Sequence, residues 1–395
     1  MLLKKKSVPP ASWWAVGAIA LGAFATVTTE FLPVGLLPNM ARSLGVSISH
    51  AGLMMAVPGL LAAISAPSCI ALFSHIDRKR ILLALLAILL ASNLLVALSQ
   101  AFWLTLAGRV SLGFALGGFW TIAGSLGLRL RPGKEGVSAT SYILAGVSLG
   151  TVAGIPAGTL IGEALGWRSA FQAAAAVTVL VALLIVIFVP ALPGERTAGM
   201  RQMRALAGED AIRRRFAAAL LIYVGHFAAY TYLAPYVQEQ AGITGQALVT
   251  LLFAFGLAAF AGNLAGGVLA AHGAPRSVLI MTLVILLSLA ALLLGGGNPL
   301  WLWPSILVWG FGFGMIPITT QIWCFDAANG RVEGVQALLV CVVNLAIGGG
   351  AFIGGQVSGY AGFTAAIVTG AVGAALAMLV VLSLLGRSRA VPCQG

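Results

Sequence analysis

Residues 35–47 read GLLPNMARSLGVS, and residues 232–244 read YLAPYVQEQAGIT. An offset of 197 aligns the two stretches and pairs Pro38 with Pro235 and Gly45 with Gly242. Three more pairs of segments align at nearly the same offset: PGLLAA (58–63) with FGLAAF (255–260), KEGVSAT (134–140) with VEGVQAL (332–338), and GTLIGEALGW (158–167) with GQVSGYAGF (355–363). Similar offsets at four places indicate an internal duplication, so we expect two related halves.

Both halves have the composition of a membrane protein. Of 395 residues, 60% are hydrophobic and only 8% are charged, whereas soluble domains carry about a quarter charged residues. The sequence predicts an all-α integral membrane protein with twelve transmembrane helices in two pseudo-symmetric six-helix bundles. Each predicted span is long enough to cross a hydrocarbon core, which takes about 20 helical residues. The spans lie at roughly 14–40, 51–73, 80–99, 102–128, 137–162, 167–190, 216–240, 246–271, 277–297, 301–325, 333–358 and 361–386.

The longest polar stretch, ALPGERTAGMRQMRALAGEDAIRRR (191–215), divides the twelve apolar segments into six and six. We therefore expect residues 1–190 to form the first bundle and residues 216–395 the second. Residues 191–215 are expected to be a cytoplasmic linker between them.

The positions of the basic residues predict the orientation. With a cytoplasmic N-terminus, Arg42 and Arg168 fall outside, Arg109 lies within a span, and the rest of the 22 Lys and Arg are cytoplasmic. Such an excess of cytoplasmic Lys and Arg is the rule for membrane proteins. It accounts for the net charge of +12 without any nucleic-acid partner. The sequence thus predicts a multi-pass membrane protein with both termini cytoplasmic.

Motifs for enzymatic chemistry are not apparent. The four histidines are isolated, and the four cysteines are scattered without metal-ligand spacing. The ATP-binding pattern G-x-x-x-x-G-K-[ST] does not occur. We therefore expect no enzyme activity, no cofactor and no bound metal, and we expect any transport to draw on an ion gradient.

Glu30 is the unusual residue of the first span, where it lies in TTEFLPVGLLP (28–38). At ~1.5 Å per residue it lies about 24 Å along the helix, in the outer half of the bilayer. An ionised carboxylate facing lipid would cost several kcal/mol, so Glu30 should face the bundle interior, be protonated, or be paired. Arg109 on the fourth span lies at a similar depth and is the candidate partner. The repeat places His226 opposite Thr29, and Leu307 opposite Arg109.

The chain resembles the major facilitator superfamily over nearly its whole length, in particular the drug:proton antiporter group with twelve spans. Within that group it is most similar to bacterial sugar efflux and purine ribonucleoside efflux transporters. The segments that carry the likeness are TTEFLPVGLLP, GRVSLGFALGGFWTIAGSLGLRLRP (108–132), GIPAGTLIGEALGWRSAF (154–171), HFAAYTYLAPYVQEQAG (226–242) and IGGGAFIGGQVS (347–358).

This resemblance implies a proton-coupled exporter of a small polar solute, either a sugar or a nucleoside, working by alternating access. The alternatives are an exporter of amphipathic drugs and, with less support, a membrane enzyme, a channel or a non-transporting sensor. The partners of such an exporter would be the solute, protons and membrane lipid, and the exporter should work as a monomer. We interpret Glu30 as the proton carrier, with a static Glu30–Arg109 pair as the alternative, and His226 as a proton relay, a substrate ligand or a packing residue.

Substrate ligands are expected where aromatic faces stand beside amides and hydroxyls, which suits a sugar ring or a nucleoside. Aromatic residues are also ordinary packing groups in membrane helices, so each position has that second interpretation. The candidates are Trp120, Thr121, Ser125, Tyr142, Tyr230, Tyr232, Asn263, Gln321 and Asn344.

Two segments resemble conformational elements of the superfamily. LFSHIDRKRI (72–81) resembles the signature G-x-x-x-D-R-x-G-R-R, with Asp77 and Arg78 at its D-R pair but without its two glycines. It is either a latch between the halves or a set of topogenic charges. The fifth span resembles the antiporter motif of exporters, or is a plain packing stripe, through Gly146, Gly150, Gly154, Pro156, Gly158 and Gly162.

Overall fold

The computed structural model describes residues 12–73, 75–131, 134–194, 205–328 and 331–389. The regular structure in these ranges is helical. The first half contains α1 (Trp13–Leu44), α2 (Leu53–Phe73), α3 (Arg78–Leu98), α4 (Phe102–Leu130), α5 (Lys134–Leu149 and Ile155–Leu165, joined by Gly150–Gly154) and α6 (Trp167–Phe188). The second half contains α7 (Asp210–Tyr230 and Leu233–Ala241), α8 and α9 (together Gly245–Gly295), α10 (Pro299–Phe325), α11 (Val332–Ala361) and α12 (Phe363–Arg389).

Two of these helical elements are interrupted by a bend. The two segments of α7 meet at an angle of 47°. The 51-residue element Gly245–Gly295 is broken at Gly273, where φ is 156°, and we call residues 245–272 α8 and residues 274–295 α9. Each part is long enough for one membrane crossing, which requires about 20 residues. The described chain therefore contains twelve spans. The prediction of twelve transmembrane helices is thereby confirmed.

Within α5, residues Gly150–Gly154 form a π-helical turn between two α-helical segments. Pro156 follows two residues later and has no N–H to donate to the carbonyl of Val152. The weakened hydrogen bonding expected around Pro156 therefore coincides with a wider turn of the helix. Such π turns are uncommon and are found frequently at functional sites.

Equivalent helices pack against each other in the two halves. In the first half α1 packs on α5 and α6, and α4 packs on α2 and α3. In the second half α7 packs on α11 and α12, and α10 packs on α8. The same arrangement of related helices in both halves agrees with the duplication in the sequence.

The halves meet along α2 with α11 and along α5 with α8. Close approach is possible because glycines face backbone at these crossings: a Cβ on Gly59 would lie 2.5 Å from the Gly348 nitrogen, and a Cβ on Gly256 would lie 2.8 Å from the Val152 Cα. Other contacts between the halves lie beside the turn at Gly45, where a Cβ on Gly52 would meet the Tyr232 hydroxyl and one on Gly359 would lie 3.1 Å from the Ser49 hydroxyl oxygen. We call this end of the molecule the Gly45 end.

Candidate proton and substrate site

Glu30 is buried in the middle of α1, with 4% of its surface exposed. Its Oε1 atom is buried and has no hydrogen-bond partner among the described residues. The burial expected from the sequence is therefore present, and one carboxyl oxygen remains available. A carboxyl group in such a place can bind a proton or a polar ligand group with little competition from protein donors.

Arg109 is completely buried on α4, yet its hydrogen bonds go to backbone rather than to the Glu30 carboxylate. Its Nε donates to the Met54 carbonyl at 2.7 Å, and its two terminal nitrogens donate to the carbonyls of Thr29 at 2.8 Å and Glu30 at 2.7 Å. The structure thus brings Arg109 and residue 30 together through the main chain. The guanidinium ties α4 to both α1 and α2.

A buried polar layer next to this contact was not found from the sequence. The Asn93 side chain on α3 donates to the hydroxyl oxygens of Thr29 (3.2 Å) and Thr178 (3.4 Å). It therefore links α1, α3 and α6 at the residue whose carbonyl Arg109 binds. The signal that could have found it is a lone amide within the leucine-rich span ILLALLAILLASNLLVAL (81–98), because amides in membrane helices commonly bond between helices.

His226 lies at the centre of an aromatic cluster in the second half, and none of its surface is exposed. The Trp309 indole N–H donates to its Nδ1 at 3.2 Å, so Nε2 carries the proton of the neutral ring. Nε2 has no hydrogen-bond partner among the described residues. Rings that stack face to face with His226 are Phe313, at a centroid distance of 4.1 Å, and Tyr230, at 5.2 Å.

This aromatic cluster reaches the first half through one stacked pair. The rings of Phe31 and Phe227 lie 5.6 Å apart and are nearly parallel, with an interplanar angle of 8°. Phe31 follows Glu30 in the chain, and Phe227 follows His226. The carboxyl-bearing turn of α1 and the histidine-bearing turn of α7 therefore face each other across the boundary between the halves.

Not all of the predicted substrate ligands join this centre. Tyr230 belongs to the aromatic cluster, and Trp120 packs against the hydrophobic cores of both halves. Tyr142 is 61% exposed and packs edge-on against Trp13, 5.6 Å away. Tyr232 is buried near the Gly45 end, where its hydroxyl donates to the Ala351 carbonyl at 3.2 Å.

The remaining polar candidates mostly hydrogen-bond to helix backbone. Thr121 donates to the Gly117 carbonyl at 2.7 Å, Asn263 to that of Gly314 at 3.3 Å, and Asn344 to that of Val340 at 2.9 Å. Gln321 is half-buried on α10. The side chain of Ser125 lies outside the described part of the structure.

The predicted switch elements are placed within the first half. The Asp77 carboxylate caps α3 by accepting from the N–H groups of Lys79 (2.9 Å) and Arg80 (3.3 Å). Arg78 donates its main-chain N–H to the Leu192 carbonyl at 2.7 Å. The glycine stripe of α5 faces α1: Cβ atoms on Gly150, Gly154 and Gly158 would meet side chains of Val27, Thr28 and Leu32.

Comparison with known proteins identifies the family of this chain. A profile of the Major Facilitator Superfamily matches residues 19–336. Purine ribonucleoside efflux pumps NepI of Salmonella typhimurium and Salmonella paratyphi A are each 32% identical over 344 residues, 87% of this chain and 87% of either pump. The chain belongs to the major facilitator superfamily.

Solved structures of this superfamily share the fold. The chain resembles a bacterial homolog of the human lysosomal transporter Spinster, with a TM-score of 0.82 and 16% identity over 96% of this chain and 98% of that one. It also resembles the fucose:proton symporter FucP of E. coli, with a TM-score of 0.64 and 18% identity over 93% of this chain and 98% of that one. This major facilitator protein is a multi-pass membrane transporter and not an enzyme.

Proposed function

We propose that this transporter exports purine ribonucleosides in exchange for protons, with Glu30 as the proton-binding group. The observation that carries the proposal is a buried carboxyl with a free oxygen, one residue from a ring that stacks across the two halves. The protein would act as a monomer in a bacterial inner membrane with both termini cytoplasmic. Residues 1–190 and 216–395 would be the two moving units, joined by the linker 191–215.

The proton part of the proposal rests on the surroundings of Glu30. An ionised carboxylate without donors is costly in a buried apolar place, whereas the neutral acid is tolerated. Arg109 donates to the carbonyls of Met54, Thr29 and Glu30, so the carboxyl keeps an oxygen for a proton or a substrate hydroxyl. Movement of the halves against each other would change which of the two forms is favoured.

The substrate part rests on the aromatic cluster beside Glu30. A purine ring can stack on aromatic side chains. Phe31 stacks on Phe227 and Tyr230 on Phe313 in the described conformation, and movement of the halves would open such faces to the base. The free Nε2–H of His226 is a donor for a nitrogen or oxygen acceptor of the base. The names of the two Salmonella relatives support a purine ribonucleoside over a sugar.

The inter-half contacts support alternating access. They include the contacts of Gly52 with Tyr232 and of Gly359 with Ser49 at the Gly45 end, which is the outer end when the termini are cytoplasmic. The described conformation would then be closed to the outside. A proton taken up by Glu30 after the halves part at this end would be released toward the cytoplasm in the present arrangement.

The decisive experiment measures adenosine uptake into proteoliposomes whose interior is more acidic than the bath, so that outward proton flow drives accumulation. Glu30→Gln keeps the shape of the side chain but has no group that can bind and release a proton near neutral pH. We expect it to lose accumulation above equilibrium, by about tenfold or more in rate, and to keep adenosine–adenosine exchange. The matched control is Glu163→Gln, because Glu163 is exposed on the same half and accepts a hydrogen bond from Asn39 at 2.6 Å.

Accumulation of adenosine by Glu30→Gln as strong as that of Glu163→Gln would show that another group carries the proton. Competition in the same vesicles separates the cargo classes: excess guanosine should block adenosine uptake, while lactose and a lipophilic cation should not. Block by the cation alone would instead identify an amphipathic-drug exporter.

A further inference from the structure

Two prolines interrupt the hydrogen bonding of α1 and α2 within the first half. Pro33 and Pro58 lie inside these helices, and neither has an N–H to donate to the carbonyl four residues earlier. The carbonyls concerned are those of Thr29 and Met54. Buried carbonyls are rarely left without a partner, so both need a donor from another part of the protein.

Arg109 supplies a donor to each of these two carbonyls. Its Nε lies 2.7 Å from the Met54 oxygen, and a terminal nitrogen lies 2.8 Å from the Thr29 oxygen. The other terminal nitrogen lies 2.7 Å from the Glu30 oxygen, one residue along α1. A guanidinium has five N–H donors in a rigid planar fork, which allows one side chain to serve two separate helices at once.

The duplication provides an internal comparison for this assignment. At the offset of 197, Pro33 corresponds to Tyr230 and Pro58 to Phe255, two rings that stack 5.1 Å apart. Arg109 corresponds to Ile306 at an offset of 197 and to Leu307 at 198, both aliphatic. The second half therefore lacks both prolines and also lacks the arginine. The three residues occur together in the half that needs the donor.

We infer that Arg109 is a clamp for the carbonyls that Pro33 and Pro58 leave unpaired, and that it positions Glu30 rather than neutralising it. The clamp fixes the Thr29–Glu30 turn against α2 and α4, while one carboxyl oxygen has no donor among the described residues. The clamp itself is independent of the cargo, and only its consequence for Glu30 rests on the proposed function.

The first test is rescue of stability, measured as the unfolding temperature of the purified protein in detergent. Arg109→Met should lower it by roughly 5–10 °C, because three buried carbonyls lose their donor. In a Pro33→Ala/Pro58→Ala background the helices regain the missing N–H groups. The same Arg109→Met change should therefore lower the unfolding temperature by less than half as much as it does in the wild-type protein. The matched control is Pro38→Ala/Pro67→Ala, which alters prolines of the same two helices but frees no carbonyl that Arg109 binds.

Two results would overturn the clamp. One is an equal loss on Arg109→Met in the Pro33→Ala/Pro58→Ala and Pro38→Ala/Pro67→Ala backgrounds. The other is an Arg109→Lys variant that unfolds at the wild-type temperature, because an ammonium keeps the charge but not the planar fork. If Arg109→Met alone cannot be purified, its recovery in the first background and not in the second is the supporting result.

The positioning role is tested by transport driven by a pH gradient. With adenosine as the probe, the variant Arg109→Met/Pro33→Ala/Pro58→Ala should accumulate it within about threefold of the Pro33→Ala/Pro58→Ala baseline, with the same pH of half-maximal rate. A stable variant that carries adenosine only downhill would place Arg109 in the proton step and overturn the positioning role. Unfolding temperatures judge the clamp without substrate, so its failure is distinguishable from failure of the proposed transport.

Discussion

The two halves of the transporter share one arrangement of helices and differ in what they bury at its centre. In the first half the central side chains are polar: Glu30, Arg109 and Asn93. In the second half the corresponding region is aromatic, with Phe227, Trp309 and neighbouring rings packed around His226. Glu30 itself corresponds to Phe227 at the offset of 197.

This difference indicates how a duplicated bundle can divide two tasks. Backbone contacts made by glycines occur in both halves, so they belong to the shared arrangement. A proton-binding carboxyl needs polar neighbours at a defined place, whereas a flat ring needs wide apolar faces. In the proposed function, the first half couples to the proton and the second half binds most of the base.

The largest effect is expected when a carboxyl group is introduced into the second half at the position that corresponds to Glu30. Phe227→Glu would bury a carboxyl among aromatic rings, at a position with 2% exposure and no arginine clamp beside it in the aligned sequence. The cost should be about 3 kcal/mol or more, a large part of the stability of a typical protein, so the yield of folded protein should fall. The amount of monodisperse protein on size-exclusion chromatography measures it.

Phe227→Leu is the control for that experiment and should remain mostly folded, because it loses ring contacts without introducing a polar group. Equal recovery of Phe227→Glu and Phe227→Leu would mean that the aromatic interior does not exclude a carboxyl. The difference between the halves would then reflect function alone and not packing.

The sequence predicted the shared arrangement better than the central side chains. Hydropathy and the repeat are sufficient for twelve spans in two bundles, and the burial of Glu30 follows from its place in an apolar span. The partners of Arg109 were not predicted, because its bonds go to carbonyls and depend on how three helices are rotated against each other. Tyr142 illustrates the same difficulty, since only the rotation of α5 decides that it meets Trp13.

A smaller and equal effect is expected where the halves agree. A Cβ on Gly146 would lie 2.1 Å from the Ala20 carbonyl oxygen, and one on Gly354 would lie 2.3 Å from that of Ala228. Gly146→Ala and Gly354→Ala should each force two helices apart at a cost of about 1–3 kcal/mol. Unfolding temperatures in detergent should therefore fall by similar amounts in the two variants.

Gly349→Ala on α11 is the control, because a Cβ there would meet nothing within 4 Å. It should be neutral or stabilise by up to about 1 kcal/mol, since alanine is the better helix former. A loss confined to Gly146→Ala would mean that α1–α5 packing is tight and α7–α11 packing is not, and that the halves differ in backbone contacts as well.

The smallest effect concerns how the linker is attached to each half. Its first end bonds to the first half, where the Leu192 carbonyl accepts from the Arg78 N–H at 2.7 Å. Its second end is held by an ion pair in which Arg331 donates to both carboxylate oxygens of Glu209, at 2.5 and 2.8 Å. These hydrogen bonds from Arg331 hold the pKa of Glu209 below its ordinary value.

A carboxyl whose pKa is lower in the folded than in the unfolded protein adds stability above the unfolded value, about 4.3 for Glu. That contribution is lost as the pH falls through the lowered folded value. Glu209→Gln should therefore unfold at a slightly lower temperature than the wild type at pH 7, and the difference should close below about pH 4. Glu239→Gln, at an exposed position bonded by Gln240, is the control for the loss of a surface carboxylate in the second half. If the difference in unfolding temperature between Glu209→Gln and wild type persists at low pH, the effect comes from packing of the linker and not from the ion pair. The attachment of the linker to the second half would then resemble its uncharged attachment to the first half.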